Sequence, residues 1–358
     1  AAGGKQGVTV RHALSHSAGL ADALPAETSL DALCDWDGMK AFVCASEPAH
    51  PPGEATSYHY LTFAWIVGGL IEAVTQRPFE EYLTERILAP CGVGPTELCM
   101  GGIDSSVPAD KLAVLSVKKR PAAPHASGQQ GQRSESVAVA AAAREGQPPQ
   151  QGGRGRLAKY RGREQLLNPS VFNMRKVRGA KIPSANGHAS AYALAQVMEG
   201  IARSGGGPTS KRAGSRGGGA IFLTSTLNAA RSPQRPPSPN QTPQREQREG
   251  SQLLDNAGAQ WGLGFQLHEM RLPAGETSSL RDGSSSWRVK GGDAPGEVVA
   301  TVGHAGMGGS VAVAVPELDL SIAVTTSLLD FNSEARRAVL GAVFSELGLE
   351  PPPSLLAP

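Results

Sequence analysis

Gly309-Ser-Val-Ala-Val-Ala-Val-Pro-Glu-Leu-Asp-Leu-Ser-Ile-Ala-Val-Thr-Thr-Ser327 is the stretch on which the fold class turns. Gly309 to Val315 and Leu320 to Ser327 both carry apolar residues at every second position, the side-chain period of a strand. Pro316-Glu-Leu-Asp319 is too short a link for a parallel crossover, so the two strands read as an antiparallel hairpin. Gly262 to Leu267 is a third strand candidate. Downstream, Glu334 to Leu347 reads as a closing helix with Ala335, Val339, Ala342 and Leu347 turned inward, stopped by Gly348 and Pro351. Upstream, Leu61 to Val74 is apolar nearly all round, the mark of a helix buried on every side. Pro78 opens another helix at its first position, with Glu80 and Glu81 where they suit the dipole and Pro90 and Gly92 at its end. Ser190 caps a further helix that sets Ala191, Leu194, Met198 and Ile201 on one face and stops at Gly205. Helices, then antiparallel strands, then a helix make an α+β protein.

Composition limits what surrounds these elements. The chain has 358 residues, 40% hydrophobic, with 44 Gly and 27 Pro. Gly plus Pro is about a fifth of the chain against an average near 12%, and the surplus is concentrated. Residues 120–163 and 204–256 are loose, apart from a patterned island at Ala220 to Leu227. They hold too little apolar area to offset chain entropy and are expected to be disordered inserts. Residues 273–295 read as a polar loop and 350–358 as a tail. No dense segment looks large enough for a core of its own, so residues 1–349 are expected to form one domain with insertions instead of three small domains on linkers. A formal charge of +2, from 34 basic and 32 acidic residues, argues against a nucleic-acid partner held by phosphate neutralisation. No run approaches the ~18 apolar residues of a membrane span. Four cysteines without a Cys-x-x-Cys pair argue against a zinc ribbon and favour a reducing interior.

Isolated motifs carry little. Gly-x-Ser-x-Gly is absent; Ser15-His16-Ser17-Ala18-Gly19 lacks the first glycine of a nucleophile elbow. Ser-x-x-Lys occurs once, at Ser116 and Lys119, in a tract without the rigid helix that would bring the amine to the hydroxyl, and reads as coincidence. His12 and His16 are four apart, but Ala13 stands where His-Glu-x-x-His needs its Glu, so they read as capping or packing histidines and no metal is expected.

Taken in order, the dense segments resemble a family. Val8-Thr-Val-Arg-His-Ala-Leu-Ser-His-Ser-Ala-Gly-Leu20 is similar to the "TVRHLLTHTSGL" segment of the β-lactamase-related serine hydrolases, which include class C β-lactamases, D-Ala-D-Ala peptidases and related esterases. Pro52-Gly53 followed by Ser57-Tyr-His-Tyr-Leu-Thr-Phe63 resembles the family's "PG…Y-x-N" region. Pro183 to Ala191, Trp261-Gly-Leu-Gly-Phe265 and Gly303-His-Ala-Gly-Met-Gly-Gly-Ser310 follow in the family's order, with His304-Ala305-Gly306 in the place of Lys-Thr-Gly. The resemblance implies a β-lactamase/transpeptidase-like sandwich, an antiparallel sheet flanked by helices, and acyl transfer to or from an ester or amide without a cofactor. It makes Tyr58 the phenol that assists the nucleophile, His304 the strand residue in the cationic position, and Gly306 with the Met307 amide the oxyanion side of the substrate strand. It also sets His59 and Tyr60 at the cleft.

Departures from the pattern matter as much. Tyr60 replaces the Asn of Tyr-x-Asn, and His304 replaces Lys, as in esterase and peptidase branches. In the family, Ser-x-x-Lys lies several tens of residues before the Thr-Val-Arg-His segment, whereas here eight residues at most precede that segment. The nucleophile segment is therefore expected to be missing from these residues, and apolar faces of the 61–74 helix and of the strands to be left uncovered. Leu33-Cys-Asp-Trp-Asp37 and the Tyr-His-Tyr-Leu-Thr-Phe string resemble a plant and algal branch in which this region follows a UbiB/aarF-type kinase-like domain. That branch implies a kinase-like domain as neighbour and an organelle, plastid or mitochondrion, as location. Two expectations result: a hydrolase domain inactive without its serine, or a non-catalytic binding or regulatory module.

Overall fold

The computed structural model describes residues 3–25, 28–103, 107–118, 168–205, 219–234, 260–272, 296, 298–306, 308–330 and 332–357. In chain order the helices are α1 (Val10–Leu14), α2 (Leu30–Cys34), α3 (Trp36–Ala45), α4 (Thr62–Thr75), α5 (Phe79–Leu83), α6 (Arg175–Gly179), α7 (Ala191–Arg203), α8 (Thr224–Arg231), α9 (Glu334–Glu346) and α10 (Pro353–Leu356). The strands are β1 (Leu98–Met100), β2 (Ser116–Val117), β3 (Gly187–Ala189), β4 (Gln260–Trp261), β5 (Gln266–Arg271), β6 (Val298–Ala305), β7 (Val311–Val315), β8 (Leu320–Val324) and β9 (Leu328–Leu329). Strands β4 to β8 form one antiparallel sheet in sequential order. Two small pairs, β1 with β3 and β2 with β9, lie outside it.

Both faces of the sheet are covered, which the side-chain period explains. Val299 on β6 and Val311, Val313 and Val315 on β7 meet Leu340 and Phe344 of α9 and Leu355 of α10. The opposite face, Leu267, Val302 and Ala314, packs on Met198, Ile201 and Ala202 of α7 and Leu227 of α8. A third cluster joins Leu33, Trp36, Met39 and Val43 to Leu61, Trp65 and Phe79 and forms a helical region beside the sheet. There the Trp36 ring lies 5.1 Å from Phe79, and its indole N–H donates to Glu72 Oε1 at 3.1 Å. Ser184, distant in sequence, accepts from the Ala64 N–H at 3.0 Å and so caps α4, which has no cap of its own.

Mixed helix and antiparallel sheet is the expected class, but several boundaries move. Residues 262–265 are the turn between β4 and β5, closed by the Gly262 N–H donating to Phe265 O at 2.9 Å, and not a strand. Strand β6 carries apolar residues on both faces, so alternation gives no sign of it. Helix α4 is not buried on every side: Thr62, Ala64, Trp65 and Gly68 face inward, while Val74 is 81% exposed. On α9 the buried residues are Arg336, Leu340 and Phe344; of the expected stripe, Ala335, Val339 and Ala342 are exposed, and Leu347 alone packs against the core. Residues 350–357 are no free tail, since α10 seats Leu355 in the core beneath the sheet. The island at 220–227 is real and extends as α8 to Arg231, whose guanidinium bonds Glu317 and donates to Ala300 O at 2.9 Å. The inserts expected at 120–163 and 273–295, and most of 204–256, lie outside the described residues.

Candidate active site

Two loops and one strand build the site. Thr9 caps α1 by accepting from the His12 N–H, and the His12 ring accepts from the Thr9 N–H at 3.3 Å, so His12 is the capping residue expected of it. The helix ends at Leu14, whose carbonyl accepts from Gly264 N–H at 2.9 Å and ties α1 to the β4–β5 turn. His16 follows in the left-handed region, at φ 58. From there residues 16–19 and 49–57 are zipped by backbone bonds: Ser57 N–H donates to His16 O, Gly53 N–H to Ser17 O and Ala49 N–H to Gly19 O, all at 2.8–2.9 Å. Gly19, at φ 74, is needed here, because a Cβ would stand 2.7 Å from His50 O. This zipper delivers Tyr58.

The strand delivers the partner. His304 lies near the end of β6, and its pairing with Ala312 puts it on the sheet face that α7 and α8 cover. Its Nε2 stands 3.2 Å from Tyr58 Oη, joining residues 246 apart in sequence. Trp261 stacks on Tyr58, with centroids 5.3 Å apart and planes 16° apart, and lies 6.1 Å from His304. The His16 ring meets this group edge-on, 4.2 Å from Trp261 and 4.9 Å from Tyr58.

Crowding sets the protonation states. Loss of surrounding water raises the Tyr58 phenol above its usual value, with the neighbouring Tyr60 adding to the rise. The same desolvation lowers His304 to about 4. The residue stays exposed at the cleft, burial nonetheless disfavours its charged form, and at pH 7 the imidazole is neutral. A protonated phenol beside a neutral imidazole makes the Tyr58 O–H the donor and Nε2 the acceptor, with the ring proton on Nδ1. His16 is held down to about 2 by burial first, then by the imidazoles of His59 and His304.

Of the residues named from sequence, Tyr58 and His304 meet. Gly306 closes the turn after β6, its N–H donating to Ser310 O at 2.7 Å, so that amide is already engaged. Met307 lies outside the described residues. His59 does not line the cleft: it is fully buried, its Nδ1–H donates to Ser57 O at 2.6 Å and its Nε2 accepts from Leu20 N–H at 3.2 Å. Tyr60 turns toward the helical core, its ring 6.4 Å from Tyr58. Ser116 sits in the extended pair β2–β9, with no helical turn to bring a lysine to it. Two members were not assigned from sequence. Trp261 stood in a quoted segment without a role, and His16 was read as packing or capping; its only further signal is a left-handed backbone, which a sequence does not display. A separate cleft of about 510 Å³ between α5 and β1, lined by Arg77, Glu80 and Met100 among others, contains none of these residues. Among the described residues no helix is long and apolar enough to cross a membrane, and no three His, Cys, Asp or Glu are grouped as metal ligands.

Comparison with known proteins bears on the family and the fold. The profile of the Beta-lactamase family matches residues 1–343. The Esterase/beta-lactamase LipL of Mycobacterium tuberculosis (strain ATCC 25618 / H37Rv) is 32% identical over 213 residues, 57% of this chain and 42% of that protein. This chain thus spans well under half the length of that relative. A family VIII carboxylesterase superposes with a TM-score of 0.58 at 21% identity, over 99% of this chain and 71% of the other. A penicillin-binding protein homolog from Caulobacter crescentus gives 0.54 at 25% identity, over 92% and 68%. With the profile covering nearly its whole length and the sandwich shared with both structures, the chain belongs to the Beta-lactamase family.

Proposed function

We propose that the Tyr58–His304 cleft is the proton-handling side of a serine acyl-transfer site acting on a small ester or amide. The observation that carries this reading is the 3.2 Å contact between the phenol and an imidazole near the end of the sheet's central strand. It supports a relay. As a serine oxygen bonds the substrate carbonyl carbon, its proton passes to Tyr58 Oη while the phenol proton passes to His304 Nε2, and the carbonyl oxygen becomes the oxyanion. On collapse the imidazolium returns its proton through the phenol to the leaving group. His304, with its lowered pKa, is a weak acceptor by itself, so the relay depends on the oxyanion being stabilised at the same moment.

The serine has to come from outside these 358 residues, because their one Ser-x-x-Lys begins in β2. By itself the chain is proposed to be inactive. A fluorophosphonate probe is expected to leave the 358-residue chain unlabelled and to label a whole protein that carries a Ser-x-x-Lys helix. Tyr58→Phe in that protein lowers the acylation rate by roughly 10²–10⁴; acylation at the wild-type rate excludes Tyr58 as the proton carrier. A second reading, a non-catalytic binding or regulatory module beside a kinase-like domain, is favoured by Tyr60, which fills the Asn position and turns toward the core. Failure of the whole protein to label supports that reading.

A further inference from the structure

Tyr58 is bracketed by two amides that a single residue holds. Ser57 N–H donates to His16 O at 2.9 Å, and His59 N–H donates to His16 Nδ1 at 3.3 Å. His59 locks the same turn from the other side, its Nδ1–H donating to Ser57 O and its Nε2 accepting from Leu20 N–H. His16 is 3% exposed, with its ring among Tyr58, Trp261 and Phe63. It reaches this place only in the left-handed region, at φ 58, where residues other than Gly are uncommon and Asn is among the more tolerant. Strain of this kind persists where the surroundings over-determine it, and here the bonds that His16 accepts, at its carbonyl and at Nδ1, both come from the segment that carries the phenol.

We infer that His16 is a positioning residue, clamping the backbone on both sides of Tyr58 so that the phenol stays against His304. The inference rests on the Tyr58–His304 reading above. An accepting Nδ1 needs a neutral ring with its proton on Nε2. The titratable groups facing the ring are Tyr58, His59 and His304; burial and the two imidazoles keep it uncharged at neutral pH. The clamp therefore needs no partner or cofactor to be set.

The test uses the 358-residue chain and readouts that need no turnover. His16→Gly keeps access to the left-handed backbone but has no acceptor and no ring. His16→Asn keeps that backbone and offers Oδ1 where Nδ1 stood. The readout is the titration midpoint of His304, followed by NMR and assigned with a His304→Gln variant. In His16→Gly, release of Tyr58 returns water to His304, and the midpoint rises by on the order of one pH unit toward the ordinary imidazole value. In His16→Asn most of that rise is absent. A Gly variant with the wild-type midpoint, or an Asn variant that rises as far as Gly, overturns the clamp. Should His16→Gly fail to fold, nitrogen chemical shifts of His16 in the unaltered chain decide: an unprotonated Nδ1 supports the clamp, and a proton on Nδ1 refutes it. Failed acylation by the whole protein refutes the hydrolase reading and leaves the clamp standing. An unmoved His304 midpoint alongside intact acylation refutes the clamp alone.

Discussion

Gly303, one residue before His304, shows how closely a single position is tied to the site. A Cβ there would stand 2.3 Å from Ala312 O and 2.9 Å from Val313 Cα, both backbone atoms of the neighbouring strand that cannot swing aside. Gly303→Ala is therefore expected to cost about 1–3 kcal/mol by overpacking and to push His304 off Tyr58, read as a lower urea midpoint and a raised His304 titration. Gly306→Ala is the contrast, because its nearest atom, Ser310 O, is 3.4 Å away; its urea midpoint should stay close to wild type. The family-like order of the motifs singled out Tyr58 and His304 as partners, and the fold sets their side chains 3.2 Å apart. It could not place His59 and Tyr60 correctly. Both adjoin Tyr58 in sequence, but which way each ring turns depends on Leu20 N–H and on the helical core, contacts made only after folding.

Elements were legible where capping or punctuation marked them. Ser190 accepts from Ala193 N–H at 3.0 Å, as its place before α7 suggests, and Ser190→Ala should cost about 1 kcal/mol in a urea titration. Elements with apolar residues on more than one side were harder. In α9, Ala335, Val339 and Ala342 make as plausible a stripe as Leu340 and Phe344, and only the packing against β7 and α10 selects the second. Arg336 misleads further: it is buried, with its guanidinium reaching Ala357 O, so a charged residue marks the inner face. Leu340→Ala is expected to lose about 2–5 kcal/mol and Val339→Ala under about 0.5 kcal/mol, measured by chemical denaturation. Equal losses at the two positions would restore the stripe expected from sequence. Strand β6 escaped notice for a related reason, since helices cover both faces of the sheet and erase alternation.

Across the whole molecule, four of the five quoted segments converge on or beside one cleft, and the fifth, residues 183–191, braces it by capping α4 through Ser184. The same convergence buries imidazoles in several places, and this makes the fold sensitive to acid. His268 is 5% exposed beneath the sheet, its Nδ1 2.9 Å from Ser354 Oγ of α10. Burial chiefly, then the nearby His304 and Arg336, lowers its pKa to about 4. An imidazole with a folded pKa below its unfolded value of about 6.5 binds protons more readily in the unfolded chain, so stability rises with pH between those two values. Its contribution is complete above about 6.5 and shrinks as the pH falls toward 4, with about 2 kcal/mol gone at pH 5 for His268. His16 loses a similar amount over the same interval. His304 loses less, because the residue stays exposed at the cleft. The carboxylates whose pKa is held down, Asp37, Glu72 and Asp330, act only below about 4.5, so among the described residues the interval from pH 7 to 5 belongs to the histidines. Denaturant titrations at pH 7 and pH 5 should differ by several kcal/mol in the unaltered chain. His268→Asn, which keeps a polar group toward Ser354 without the titration, should narrow that difference by about 2 kcal/mol. If the variant shows the same pH dependence as the parent, His268 is not the neutral buried group its surroundings demand, and the packing of α10 beneath the sheet is wrong.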